Sequence, residues 1–202
     1  MSALLCAAGF LAWFAAVEAV TRRLRVGREL SRKFVHVTSG LAAAAMPLVL
    51  TFPRIALLAV LFAVAMAASR RLRILRSVHE VERRTWGEVC LPLGVAAAAV
   101  LVPDPSRYAC AVATIAVCDV AACLVGRRLG GRRLPGSAKT WAGSAAFFVT
   151  ALVVGLLLLP ALPLAVVAVA VVTTAAEATA SRGLDNVAVP AIAATALAIA
   201  AR

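Results

Sequence analysis

Long apolar runs separated by short polar segments make up most of the chain. A helix needs about 20 apolar residues to cross the hydrocarbon core of a bilayer, within a working range of about 17–25. The pattern therefore predicts seven or eight membrane-spanning helices. Their predicted positions are 3–20, 34–52, 54–68, 89–103, 108–126, 144–160, 161–180 and 187–201. The third, fourth and last are short, and helix tilt, bilayer thinning or a hairpin at Pro160 and Pro163 would absorb the mismatch.

The lysines and arginines are concentrated in four of the polar segments. The segments 21–33, 69–88, 126–143 and 181–186 hold six, six, five and one of the chain's 21 basic residues. Arg54, Arg107 and Arg202 lie elsewhere. With eight spans the four basic segments share one side of the membrane, which the positive-inside rule assigns to the cytoplasm. We therefore expect an integral protein, in the plasma membrane of a prokaryote, with its N-terminus outside.

Composition supports a membrane protein. Hydrophobic residues make up 63% of the 202 residues and the mean hydropathy is +0.98, whereas ordinary soluble domains are about 45–50% apolar. The net charge of +12 would suit a nucleic-acid binder, but such proteins carry basic residues on a folded polar face, often with stacking aromatics. Here aromatic residues are 5% of the chain and the basic residues lie between apolar runs. We predict one all-α transmembrane bundle over residues 1–202 and no nucleic-acid partner, while the oligomeric state stays open.

Asp119 lies inside the fifth predicted span, about two helical turns before Gly126. A charged side chain at such a position costs about 2.5–3.5 kcal/mol on insertion scales, so intramembrane acids usually face a polar interior and mark function. The residues at i+3, i+4 and i+7 are Ala122, Cys123 and Gly126, a small-residue face on which another helix or a ligand could lie. The alternative role of Asp119 is an intramembrane ion pair with an arginine.

Further oxygen ligands are predicted on the same membrane face as Asp119. Glu177 lies near the cytoplasmic end of its span, and Asp185 and Asn186 follow in the short loop beyond it. Mg²⁺ prefers one or two carboxylates together with substrate phosphates. We therefore predict that Asp119, Glu177 and Asp185 are metal ligands, although Asp185 and Asn186 are equally common as turn formers.

The cytoplasmic loop at 126–143 combines glycines with positive charge near the start of a helix. Glycines let backbone N–H groups approach phosphate oxygens, and Lys139 supplies a point charge. This favours phosphate binding, against the alternative of a positive-inside loop without a ligand. The Gly131-x4-Gly136 spacing is similar to the start of a Walker A loop, but the lysine is displaced by two residues and no buried strand precedes it, so this is not a P-loop.

Other polar residues near the predicted span ends have open roles. His36 follows Lys33 at i+3, where it could be a proton acceptor, a phosphate ligand or an interfacial polar residue. Glu18 lies one helical turn before an arginine, which favours a helix-end ion pair. Glu88 is a further candidate site residue, and His79 belongs to a charged stretch that we expect to be solvated.

Between Asp119 and Ser144 several short motifs follow one another: an acid, Gly-Arg-Arg-x-Gly, Arg-Leu-Pro and Lys-x-Trp-x-Gly-Ser. The matching residues are Asp119, Gly126, Arg127, Arg128, Gly130, Arg133, Leu134, Pro135, Lys139, Thr140, Trp141, Gly143 and Ser144. This order resembles the polyprenol kinase family, which includes phytol kinase and the C-terminal part of dolichol kinase. Weaker matches at residues 32–36 and at Glu177, Leu184, Asp185 and Asn186 extend the resemblance over about residues 29–190.

The resemblance implies a multispan membrane enzyme that uses CTP and Mg²⁺ to phosphorylate the hydroxyl of an isoprenoid alcohol such as phytol, farnesol or a polyprenol. It implies that Asp119 and Asp185 hold the metal, and that Lys139 and nearby arginines bind the nucleotide phosphates. Asp119, Lys139 and His36 are the predicted catalytic residues. The predicted cofactor-binding residues are Lys33, Gly126, Arg127, Arg128, Gly130, Arg133, Thr140, Gly143, Ser144 and Asn186.

Two departures from the family pattern leave the choice of substrate and nucleotide open. Cys118 stands where the family usually has glycine, and Ala142 where many relatives have glutamate. The related phosphatidate cytidylyltransferases share the acid and the Lys-x-Trp-x-Gly motif, but the basic pair of their C-terminal signature is absent here. A kinase is therefore favoured, and the alternatives are a cytidylyltransferase that forms a CDP-lipid and a non-catalytic membrane carrier.

Overall fold

The computed structural model describes residues 2–23, 28–71 and 86–200. These residues form eight α-helices, one short 3₁₀ turn at Met46–Leu48 and no β-strand, which confirms the all-α fold class for the described part of the chain. The helices are α1 Ser2–Arg23, α2 Arg28–Ala44, α3 Phe52–Arg71, α4 Gly87–Leu101, α5 Pro105–Leu129, α6 Trp141–Leu158, α7 Pro163–Thr179 and α8 Asp185–Ile199. Each corresponds to one predicted span, although α2 begins six residues earlier and ends eight residues earlier than expected, and α5 begins three earlier and ends three later.

Three of the described helices are long and apolar enough to cross a membrane: α3, α5 and α6. The apolar helices α4, α7 and α8 are shorter, at 15, 17 and 15 residues. Large apolar side chains point outward from the bundle, for example Leu157 at 76% exposure and Leu164 at 84%. Many exposed large apolar side chains are unfavourable in water. The three long helices and this surface indicate membrane association.

Small residues bring the helices close together, as lipid-embedded bundles require. A Cβ added at Gly94 of α4 would lie 2.3 Å from the backbone oxygen of Asn186 in α8, and one at Gly155 of α6 would lie 2.5 Å from Val166 in α7. The central helix α5 packs against α2, α4, α6 and α8. Its buried side chains, together with those of α4 and α8, form most of the core.

The helix ends divide into two groups, which we call the charged end and the apolar end. The charged end contains the starts of α2, α4, α6 and α8, the ends of α3, α5 and α7, and the loop 130–140. The apolar end contains the segments 45–51, 102–104 and 159–162 and the helix starts beside them, where Arg54 and Arg107 are the basic residues.

Contacts among backbone, aromatic and charged groups join four helices at the charged end. Trp86 N, just before α4, donates a hydrogen bond of 2.9 Å to the Arg182 carbonyl in the turn between α7 and α8. At the end of α3, the Arg70 guanidinium binds Glu88 at 2.8 Å and lies 4.3 Å from the centre of the Trp86 ring. The ends of α3, α4, α7 and α8 therefore meet at one place.

Candidate functional site

Asp119 follows directly after a π-helical turn, Thr114–Cys118, in the middle of α5. Its Oδ2 accepts a hydrogen bond of 2.7 Å from the Nζ of Lys33, and the two side chains are 16% and 11% exposed. The ion pair that we considered for Asp119 is therefore present, but its partner is a lysine of α2, not an arginine. Removing one member of a buried pair typically costs about 3–5 kcal/mol because the other charge stays buried without a partner.

Lys139 binds two carboxylates from two other helices. Its Nζ lies 2.5 Å from Oε1 of Glu177, at the end of α7, and 3.1 Å from Oδ2 of Asp185, at the start of α8. The Glu177 side chain is 2% exposed. The Ser144 hydroxyl donates a hydrogen bond of 3.4 Å to the other carboxylate oxygen, Oε2. Because both carboxylates contact one nitrogen, they lie side by side.

We call Lys33, Asp119, Lys139, Glu177 and Asp185 the charged cluster. Burial by itself would lower the pKa of the Lys139 ammonium, but the negative charges of Glu177 and Asp185 outweigh burial and raise that pKa above the ordinary lysine value. Lys139 is therefore charged at neutral pH. The charge of Asp119 also acts on Lys139 and on Glu177, so the two parts of the cluster are electrostatically coupled.

The loop before α6 is a small hairpin that positions Lys139. Leu134 N donates to the Lys139 carbonyl at 2.9 Å, and Ser137 N donates to the Leu134 carbonyl at 3.1 Å. The Ser137 hydroxyl accepts a hydrogen bond of 3.1 Å from Lys139 N and donates one of 2.9 Å to the Ala178 carbonyl in α7. Ser137 therefore ties the hairpin to the helix that carries Glu177. Ser137 is not among the predicted site residues. Its position two residues before Lys139 is the feature of the sequence that could have identified it.

Three predicted cofactor-binding residues, Gly126, Thr140 and Gly143, make packing contacts between α5 and α6. The Thr140 hydroxyl caps α6 by accepting a hydrogen bond of 3.1 Å from Gly143 N. A Cβ at Gly126 would lie 2.8 Å from that hydroxyl, and one at Gly143 would lie 3.0 Å from the Ala122 carbonyl. The small-residue face of Asp119 is therefore covered by α6, so it holds a helix and not a ligand.

The predicted phosphate-binding arginines lie on the surface of the charged end. Arg127 and Arg128 occupy the last turn of α5 and Arg133 lies in the hairpin, all with exposed side chains. Gly130 has φ +62°, a left-handed conformation that favours glycine after a helix. The helix end thus explains the place of Gly130 in the motif.

His36 lies one turn after Lys33 on α2, facing the π-helical turn. Its Nε2 is 3.2 Å from the carbonyl oxygen of Ile115, one helical turn before Asp119. The charges of Asp119, Lys33 and Asp185 all act on the imidazole. The structure therefore brings His36 to the edge of the charged cluster. Neither the π-helical turn nor the Ile115 contact has a signal in the sequence.

Asn186 contacts the start of α4, where Glu88 lies in the first turn. Asn186 Nδ2 donates a hydrogen bond of 3.3 Å to the Gly87 carbonyl, while its backbone N donates one of 3.2 Å to Asp185 Oδ1. Glu88 pairs with Arg70. Asn186 therefore links α8 to α4, and Glu88 belongs to a separate ion pair. His79 and the side chain of Glu18 lie outside the described residues.

The three predicted metal ligands are divided between two lysines. In the described ranges, no group of three or more His, Cys, Asp or Glu side chains is close enough to hold a metal ion. Glu177 and Asp185 nevertheless lie side by side on Lys139. Mg²⁺ binds through one or two carboxylates plus substrate phosphates, so this pair fits a metal that a phosphate ligand brings. The contribution of Asp119 to such a site stays a prediction.

No protein-family model, curated protein sequence or solved structure matches this chain. The resemblance to polyprenol kinases therefore rests on the motif residues themselves. What the structure adds is where those residues lie, in a charged cluster built from four helices and a hairpin.

Proposed function

We propose that this chain is a CTP-dependent kinase that phosphorylates the hydroxyl of an isoprenoid or other lipid alcohol at the cytoplasmic membrane face. The observation that carries the proposal is the charged cluster. It places two ammonium groups and three carboxylates, with side chains between 2% and 27% exposed, at one end of an otherwise apolar bundle. Charges are rare inside membrane proteins and usually mark substrate, ion or proton sites.

The proposal includes eight membrane crossings by α1 to α8, with the charged end in the cytoplasm. The position of basic residues supports this arrangement, because the apolar end has Arg54 and Arg107 whereas the charged end has the arginine-rich hairpin. Helices of 15 residues are about 22 Å long, so α4 and α8 require tilting of their neighbours or local thinning of the bilayer.

Phosphoryl transfer depends mainly on positioning and on electrostatic stabilisation of the transferred group. In this proposal the exposed guanidinium groups of Arg128 and Arg133 bind nucleotide phosphates, since arginine matches phosphate geometry. Lys139 is the ammonium that would bind a phosphate oxygen, and Glu177 and Asp185 are the carboxylates that would hold a metal ion. Mg²⁺ held by those two carboxylates would neutralise charge on the phosphates.

The alcohol hydroxyl is placed beside Asp119, and either this acid or His36 takes its proton. The isoprenoid tail then extends into the apolar part of the bundle or the surrounding lipid. It does not follow the Ala122 and Gly126 face of α5, because α6 fills that space.

The test is to identify the products formed by the purified protein with CTP, Mg²⁺ and a panel of alcohols that includes phytol, farnesol and undecaprenol. A kinase yields a phosphorylated lipid and CDP. A cytidylyltransferase yields a CDP-lipid and pyrophosphate, and a non-catalytic carrier neither binds nor turns over the nucleotide. Either of the last two results would refute the kinase proposal.

The assignment of the site is tested by Asp119→Asn and Lys139→Ala. Each should lower turnover by about 10²–10³, the usual cost of removing a group that stabilises developing charge. The matched controls are Asp104→Asn and Arg54→Ala, which replace an aspartate and a basic residue at the apolar end. Both should leave turnover within about twofold, because neither side chain belongs to the charged cluster. Wild-type turnover in the Asp119 and Lys139 variants would show that the site is elsewhere.

A further inference from the structure

One face of α2 is joined to the π-helical turn of α5 by two polar contacts. Lys33 and His36 are at i and i+3, so they lie on the same side of the helix. Lys33 binds Asp119 at 2.7 Å, and the His36 Nε2 lies 3.2 Å from the Ile115 carbonyl oxygen. Ile115 lies within the turn Thr114–Cys118, and Asp119 is the next residue after that turn. The imidazole therefore contacts the turn that directly precedes Asp119.

The distance between the two helices is fixed by a neighbouring contact. Gly40, at i+7 from Lys33, packs against Ala116 so closely that a Cβ there would lie 2.5 Å from the alanine Cβ. Neither helix can move closer to the other at this level. The His36 side chain therefore bridges a gap whose width is fixed by the contact between Gly40 and Ala116.

The chemistry of the Ile115 contact determines where the imidazole hydrogen lies. A carbonyl oxygen can accept a hydrogen bond but cannot donate one, so the ring nitrogen that faces it must carry hydrogen. In neutral His36 the hydrogen is therefore on Nε2, and the ring nitrogen nearest to the π-helical turn is not a proton acceptor. The carbonyl that His36 contacts belongs to a π-helical turn. Single π-helical turns inside α-helices are frequent at functional sites.

We infer that His36 is a positioning residue: its Nε2–H holds the π-helical turn at Ile115 and so keeps Asp119 against Lys33. With hydrogen on Nε2, the lone pair of the neutral ring is on Nδ1. The inference is that His36 contributes the contact with Ile115 and not proton transfer through Nδ1, and that an acid of the charged cluster takes the proton of the alcohol. The inference rests on the proposed function as far as turnover is concerned, whereas the position of the imidazole hydrogen can be measured without it.

Two substitutions separate positioning from proton acceptance. His36→Gln can place an amide N–H near the former Nε2 but cannot take up a proton near neutral pH, and His36→Leu removes the donor. We expect the glutamine variant to recover most of the kcat that the leucine variant loses and to keep the shape of the wild-type pH–rate profile. For the leucine variant we expect kcat about tenfold lower with little change in the KM for CTP, a loss on the scale of one hydrogen bond.

Two kinetic outcomes would overturn the inference. If the glutamine variant loses as much kcat as the leucine variant and also loses the acidic limb of the pH–rate profile, His36 is a proton acceptor. If both variants turn over at the wild-type rate, the contact with Ile115 does not position Asp119.

The tautomer is measured by nitrogen NMR on protein labelled with ¹⁵N-histidine. The chain has two histidines, so a His79→Gln variant assigns the His36 signals. We expect the neutral ring to carry its hydrogen on Nε2. Hydrogen on Nδ1 would exclude the Ile115 contact and overturn the inference whatever the activity. If the wild type phosphorylates no alcohol, the proposed function fails, while the tautomer still decides the geometry.

Discussion

The acidic side chains at the two ends of the helix bundle have different kinds of partner. At the apolar end, Asp104 caps α5 by accepting a hydrogen bond of 2.9 Å from Arg107 N, three residues along the chain. At the charged end, Lys33 and Asp119 are 86 residues apart in sequence and Lys139 and Glu177 are 38 apart. Closing a helix end requires only a local partner. The long-range pairs at the charged end therefore exceed what helix termination requires.

Stability does not explain the charged cluster either. Moving two charges out of water costs several kcal/mol per ion, and replacing a buried ion pair by packed apolar residues is often neutral or stabilising. An apolar bundle could join α2 to α5, or α7 to α8, without lysines and carboxylates. The difference between the two ends thus supports a functional role for the charged cluster.

The largest effect on stability is expected for Lys139→Met. It leaves Glu177, which is 2% exposed, beside Asp185 without their shared cation. We expect a loss of about 3–5 kcal/mol in the free energy of unfolding. The measurement is the decrease in the thermal midpoint in detergent. Arg54→Met at the apolar end should stay within about 0.5 kcal/mol. Adding Glu177→Gln to Lys139→Met should recover part of the loss, and a strictly additive double variant would show that the pair is not coupled.

A charge exchange between Lys33 and Asp119 should separate stability from turnover. Lys33→Met alone leaves a carboxylate that is 16% exposed without its partner and should cost about 3 kcal/mol. The exchanged variant, Lys33→Asp with Asp119→Lys, restores opposite charges and should recover most of the thermal midpoint. Turnover should not recover, because the carboxylate is then on α2 and not on α5. Recovery of turnover as well would mean that the cluster needs only a neutralised pair.

The apolar runs of the sequence predicted where the helices lie, because a helix that faces lipid or a core must be apolar along most of its length. Charged residues inside those runs identified Asp119 and Glu177 for a similar reason, since a charge in an apolar setting requires a partner. The sequence could not show which partner. Asp119 was expected to meet an arginine if it was paired, and it meets Lys33 across 86 residues.

Glycines were the least informative part of the motif. Gly126 and Gly143 were predicted to bind a phosphate, yet each has the contacts of a close helix crossing between α5 and α6. A glycine allows backbone approach by any neighbour, so its presence alone does not distinguish a ligand from a helix. The π-helical turn at Thr114–Cys118 was also unpredictable, since its residues are ordinary apolar residues of a span.

The raised pKa of Lys139 predicts how stability depends on alkaline pH. Because its pKa in the folded protein lies above the ordinary value of 10.5, the ammonium stabilises the fold fully below that value and progressively less as pH rises through the raised pKa. The wild-type thermal midpoint should therefore fall in this alkaline range. The alkaline decrease in the thermal midpoint should be smaller in Lys139→Met than in the wild type, whereas Arg54→Met should show the wild-type decrease. Identical alkaline curves for wild type and Lys139→Met would contradict the assignment.

The smallest effect is expected at the apolar end, from the cap of α5. Asp104→Ala removes the acceptor for Arg107 N and should cost about 1 kcal/mol, whereas Asp104→Asn retains a side-chain oxygen and should cost much less. Both variants should keep wild-type turnover, because the cap acts on its own helix end and not on the charged cluster. Thermal midpoints and initial rates measured on the same preparations give both readings. A cap variant that lost turnover while keeping its midpoint would remove the distinction between the two ends and place part of the function at the apolar end.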